Sequence, residues 1–137
     1  MGKYEINQNS DFSEESGENL HCSFHPVEGY QGTILIEPRG IINTYNVVHF
    51  KERLNLLIKH GYTNLIFDMK NIEYISAVGV GLFIQILSSI RKEGGDIVLA
   101  GLQNSVLDVF NLLGFSGFFT IRTNIESAME VLCSGLE

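Results

Sequence analysis

The residues of this chain best suited to chemistry lie between Asn64 and Gln85, in the stretch NLIFDMKNIEYISAVGVGLFIQ. A buried strand, Leu65-Ile66-Phe67, runs into the polar Asp68. A short polar connector through Glu73 leads to Tyr74-Ile75-Ser76, and the small-residue turn Ala77-Val78-Gly79 opens an apolar helix. This layout sets the Ser76 hydroxyl and several backbone amides at a helix start, where unpaired N–H groups and the positive end of the helix dipole suit an anion. Asp68 and Glu73 could form a carboxylate pair, but an acid at the carboxyl end of a strand reads more simply as a solvated turn residue. His21, Cys22 and His25 form the other group with donor chemistry. On a strand, positions 21 and 25 share a face about 13 Å apart, too far for one ion, and Pro26 opposes a helix there. They read as edge-strand histidines, and no metal site is expected.

Other chemistries lack their residues. Gly79-Val80-Gly81 has neither the spacing nor the lysine of a phosphate-binding loop. There is no Gly-x-Ser-x-Gly elbow, and none of the histidines is spaced against an obvious nucleophile. Neither enzymatic activity nor a cofactor is expected.

Alternating strands and helices must position the Asn64–Gln85 stretch. Residues 1–19 read as a flexible acidic leader, polar and without a sustained period. A strand through Cys22–Val27 is stopped by Pro26 or the Glu28-Gly29 turn, and a second, Thr33–Ile36, is ended by Pro38 and Gly40. Val47, Phe50, Leu54, Leu57 and Ile58 recur at the spacing of an amphipathic helix, with Asn43 or Thr44 as its cap and Gly61 as its end. After strand Leu65–Phe67 comes a helix from about Gly79 to Lys92. It is apolar nearly all round its first half, so it is either deeply buried or reserves a face for a partner. Arg91, Lys92 and Gly94-Gly95 close it. Strand Ile97–Ala100, a short helix through Val106–Leu113 closed by Gly114, strand Phe118–Ile121 and a last helical stripe from Ile125 to Leu132 complete the chain. The pattern predicts one α/β layer domain over 20–137 with parallel middle strands.

A chain of 137 residues can bury a substantial core, and 45% hydrophobic with 18% charged residues fits a globular protein. No apolar run approaches the ~20 residues that span a bilayer. Nothing in MGKYEINQNSDFSEESGEN resembles a secretory signal, and Ile6 breaks the myristoylation pattern after Gly2, so a cytoplasmic location is expected. Residues 1–30 hold six acids against Lys3, a net of −5, which leaves −2 for the rest of a chain of net −7. So acidic a chain does not suit nucleic acid, whose phosphates call for clustered Lys and Arg. The leader either solvates the chain or touches a basic partner, the first being simpler. Cys22 and Cys133 read as thiols and not as a disulfide.

From about Gly32 to Leu132 the chain resembles a STAS domain, the fold of bacterial anti-sigma factor antagonists. Thr33–Asn43, TILIEPRGIIN, looks like the family strand ending in Gly-x-x-Asp, here Gly40-Ile41-Ile42-Asn43. Asn64–Ile75 looks like the segment leading to the family's phosphorylation site, with Asp68 matching its usual acid. Gly79-Val80-Gly81 is similar to the Gly-Leu-Gly opening the second helix. Leu112-Leu113-Gly114-Phe115 and Glu126-Ser127-Ala128 follow the family's tail. The resemblance implies a mixed, mostly parallel sheet of about five strands packed with about four helices.

It also implies partner switching. The unmodified antagonist binds an anti-sigma factor that is often a serine kinase, and so frees a sigma factor. Phosphorylation of one serine before the second helix breaks that complex, because it puts about −1.5 to −2 charges into an interface built for a small neutral side chain. The family's Asp-Ser-Ser/Thr-Gly is Ser76-Ala77-Val78-Gly79 here. Ala77 stands at the phosphoacceptor position and has no hydroxyl, and Asn43 replaces another family acid. Three roles stay open for Ser76: a helix-capping hydroxyl, a displaced phosphoacceptor, or a contact residue. The expected partner surface comprises Asn43, Thr44, Tyr45, Ser76, Ala77, Val78, Gly79, Val80, Gly81 and the exposed side of helix 79–92, with binding that is constitutive. The alternative is a non-switching STAS scaffold, a transporter subunit or a small-ligand-binding module, which the all-round apolar helix would serve.

Overall fold

The computed structural model describes residues 12–15 and 18–133. In chain order they form β1 (Phe12–Glu15), β2 (Leu20–Pro26), β3 (Thr33–Ile42), α1 (Val47–Lys59), β4 (Asn64–Asp68), β5 (Ile72–Ile75), α2 (Ala77–Lys92), β6 (Asp96–Ala100), α3 (Asn104–Leu112), a 3-10 turn at Ser116–Phe118, β7 (Thr120–Arg122) and α4 (Ile125–Cys133). One sheet runs β1-β2-β3-β4-β6-β7, with β5 taking over from β4 along the far end of β3. The β1–β2 and β2–β3 pairs are antiparallel, and those from β3 onward are parallel. The fold is the expected α/β one, mixed and mostly parallel with four helices.

Helices α1, α2 and α3 cover one face of the sheet and α4 the other. Buried on both sides, β4 and β6 carry unbroken apolar runs, as central parallel strands do. Phe67 and Phe83 meet edge to face with ring centres 5.0 Å apart, and Phe50 packs on both, locking α1 and α2 to the sheet. The helix ends follow the expected glycines. Gly61, Gly94 and Gly114 each hold a positive φ, and Gly95 N–H reaches back to Ile90 O at 3.0 Å.

Several expectations need correction. The sheet has seven strands among the described residues, not about five. Phe12–Glu15, inside the supposed flexible leader, is a strand, because the edge of β2 offers an antiparallel ladder that local sequence does not reveal. The rest of residues 1–17 lies outside the described residues. The β3 strand does not stop at Pro38 and Gly40. Pro38 falls where pairing with β4 has ended at Ile36 and pairing with β5 has not begun, so its missing N–H costs no ladder bond. At Gly40, φ is +115° and a Cβ would sit 2.1 Å from Asn19 O, so glycine alone fits there. The last strand starts at Thr120 and not Phe118. Phe118 N–H closes a turn onto Phe115 O, and Phe119 packs on Phe110.

Candidate functional site

The stretch from Asp68 to Gly81 is placed by β4, β5 and α2. Asp68 is not a solvated turn residue. It is 3% exposed, its Oδ1 accepts the Lys70 N–H at 3.3 Å, and Lys70 Nζ lies 3.3 Å from Oδ2. The acid shapes the turn in which Ile72 N–H bonds Met69 O, and so sends the chain into β5. Glu73, by contrast, is exposed.

In β5 the register against β3 shifts, with Gly40 opposite Ile72 but Ile41 opposite Tyr74. Glu73 is therefore a bulged residue. The bulge turns two consecutive side chains, Glu73 and Tyr74, outward, while Ile72 and Ile75 stay buried.

Ser76 follows at the end of β5, tied to β3 by its N–H donating to Ile42 O at 2.9 Å. Its backbone is extended (φ −84°, ψ 166°), the N-cap conformation, and its Oγ accepts the Gly79 N–H at 3.1 Å. Capping starts α2 at Ala77, two residues before the expected Gly79. Of the amides expected to face an anion, that of Gly79 is thus already engaged. At Gly79 a Cβ would meet Ile75 Cγ1 at 2.7 Å and Ile42 Cγ2 at 2.8 Å, so glycine lets the helix start lie on the strand ends.

The expected surface residues divide in two. Ala77 and Val78 are exposed, as are Thr44 and Tyr45, the last at 86%. Gly81 is half-buried, with nothing within 4 Å of a Cβ built on it. Gly79 and Val80, by contrast, are buried and support the surface from beneath. In the rest of α2, Leu82, Phe83, Ile86, Leu87 and Ile90 are buried, while Ile84 and the edge of Leu87 line a shallow apolar pocket with Phe115 and Phe118. The outward side of the helix carries Gln85, Ser88 and Ser89. Most of the apolar surplus of α2 goes into the core.

The loop after β3 completes the patch. Neither Asn43 nor Thr44 is the N-cap of α1, which is Asn46. Asn43 instead builds the turn before it, its Oδ1 accepting the N–H of Tyr45 at 2.9 Å and of Asn46 at 3.0 Å. Two contributors escaped the sequence reading. Tyr74 (52% exposed) is expected only as part of the approach to Ser76, and Asn46 is fully buried beneath the loop. The Asn-x-x-Asn spacing of 43 and 46, at which each side chain can bond the other's amide, was the available signal. Elsewhere, His25 Nε2 lies 2.6 Å from Glu37 Oε1 across β2 and β3, and Cys22 is buried in the core. Among the described residues no group of three His, Cys, Asp or Glu could hold a metal, and no helix is long and apolar enough to cross a membrane.

The STAS domain family model matches residues 25–128. The chain belongs to that family. Two relatives of this STAS domain are anti-sigma-B factor antagonists. That of Listeria monocytogenes is 30% identical over 92 residues, 66% of this chain and 79% of the relative. That of Bacillus subtilis is 23% identical over 104 residues, 76% and 94% of the two chains. Among solved structures, the Bacillus anti-sigma factor antagonist SpoIIAA in its unphosphorylated form has a TM-score of 0.68 at 17% identity, over 92% of this chain and 97% of that one. At that identity the likeness is one of fold. SpoIIAA has also been solved phosphorylated. The STAS domain described here is thus a relative of anti-sigma factor antagonists.

Proposed function

We propose that this STAS domain is a protein-binding regulator of the anti-sigma factor antagonist type and not an enzyme. It docks an anti-sigma factor that is a serine kinase, in the cytoplasm, through the loop 43–45, Tyr74 and the start of α2. Ser76 through Gly81 set the shape of that start, and Ala77 and Val78 are its exposed contacts. The observation that carries the reading is the exposed, hydroxyl-free Ala77 beside a Ser76 whose oxygen is held by the Gly79 amide. Small and uncharged, this corner resembles an antagonist fixed in its unmodified state, and binding is therefore constitutive. The bond from the Gly79 N–H to Ser76 Oγ supports a capping role for Ser76 over that of a displaced acceptor.

The test is a pull-down of the purified kinase on the immobilised chain, with and without ATP. Equal recovery in both, with no phosphate on the chain by mass spectrometry, is expected. ATP-dependent release together with phosphorylation of the chain would sink the reading.

A further inference from the structure

Asn46 is fully buried, and its carboxamide joins three segments. Nδ2 donates to Glu18 O at 2.8 Å and to Ile41 O at 2.9 Å, while Oδ1 accepts the Asn43 N–H at 3.0 Å. Asn43 answers by accepting the Asn46 N–H at 3.0 Å. A buried amide with both donors and its acceptor engaged holds its neighbours in one arrangement. Independently, Ile41 N–H donates to Asn19 O at 3.1 Å, and Gly40 lets that carbonyl approach its Cα. Asn19 itself turns at φ +67°, a conformation asparagine tolerates. The corner Glu18–Asn19 is therefore fixed beside loop 43–45.

The charges follow from this placement. Asn43, Thr44, Tyr45, Tyr74, Ser76, Ala77 and Val78 carry none at neutral pH. Two exposed acids border them, Glu18 on the fixed corner and Glu73 on the β5 bulge. We propose that the Glu18–Asn19 corner is part of the docking surface, with Asn46 as the positioning residue that holds it there. Glu18 and Glu73 select a partner protein that sets basic side chains around an uncharged, partly apolar centre. The proposal rests on the docking reading above and deepens it.

The experiment is calorimetric titration of the full chain with a purified anti-sigma factor/serine kinase from the same organism, at low and at high salt. Glu18→Gln and Glu73→Gln are each expected to weaken binding about two- to fivefold at low salt, and the difference should vanish where salt screens exposed charge. In an Asn46→Ala background Glu18→Gln should add nothing further, while Glu73→Gln keeps its full effect. General loss of stability would change both alike. Should Asn46→Ala not fold, Asn46→Ser carries the same comparison. Wild-type affinity for Glu18→Gln at low salt, while Val78→Asp abolishes binding, would overturn the proposal and leave the docking reading standing. An unchanged Glu18→Gln effect without Asn46 would remove the positioning role. Failure of the wild-type chain to bind, or indifference to Val78→Asp, would remove the docking reading and this proposal together.

Discussion

Ser76 Oγ and the Gly79 N–H, 3.1 Å apart, set where α2 begins and which residues its first turn exposes. The bond satisfies one of the amides that a helix start leaves unpaired. Replacing Ser76 by Ala should cost about 1 kcal/mol, and Ser76→Asp should hold most of that stability, since aspartate caps equally well and favours the positive helix end. Thermal unfolding should place Ser76→Ala about 3–5 °C below the wild type. An unchanged midpoint would mean that the cap contributes nothing.

Gly79 and Gly81 predict opposite outcomes for one substitution. Alanine at either gains up to about 1 kcal/mol of helix propensity. At 79 the added methyl meets Ile75 and Ile42 below 3 Å, and overpacking of that kind costs about 1–3 kcal/mol. At 81 it meets nothing. Gly79→Ala should therefore be neutral to destabilising and Gly81→Ala stabilising. Denaturant titration of the two side by side decides it, and the reverse order would refute the packing described for the helix start.

Much of this geometry was legible because it is local. The stripe Val47, Phe50, Leu54, Leu57 gives α1, and the apolar run Leu65–Phe67 gives a strand buried on both faces. What was not legible depends on partners far along the chain. The β5 strand hides because the bulge at Glu73 breaks the alternation of period two. β1 exists through its pairing with β2, and β3 crosses Pro38 because its neighbours change there. Asp68 looked like a solvated acid, but burial depends on what folds over it. At the site, Ser76, Ala77 and the loop 43–45 were readable from the motif. Asn46 left a local trace in the Asn-x-x-Asn spacing, but its bond to Glu18 O, 28 residues away, left none.

Val78 gives a direct test of the surface. It is half exposed in the first turn of α2, so a charge there need not disturb the core. Val78→Asp should leave the unfolding midpoint within about 0.5 kcal/mol of the wild type yet weaken kinase binding at least tenfold, because an unpaired carboxylate would be desolvated in the interface. Unchanged binding with an intact fold would place the contact surface elsewhere.

The sharpest prediction concerns Ala77. If the chain is an antagonist whose switch is lost only through a missing hydroxyl, restoring it should restore the switch. Ala77 is exposed and sits in the first helical turn, so serine fits there at a propensity cost well under 1 kcal/mol. Ala77→Ser is expected to bind the kinase as the wild type does without ATP, to acquire one phosphate at position 77 with ATP, and then to dissociate. Ala77→Glu should fold normally and bind poorly with or without ATP, since a fixed negative charge stands in for the phosphate. Phosphopeptide mapping and titration calorimetry read both outcomes. If Ala77→Ser takes up no phosphate while still binding, the first turn of α2 is presented to the kinase differently than the resemblance implies. The chain would then be a constitutive antagonist by geometry as well as by the loss of one oxygen.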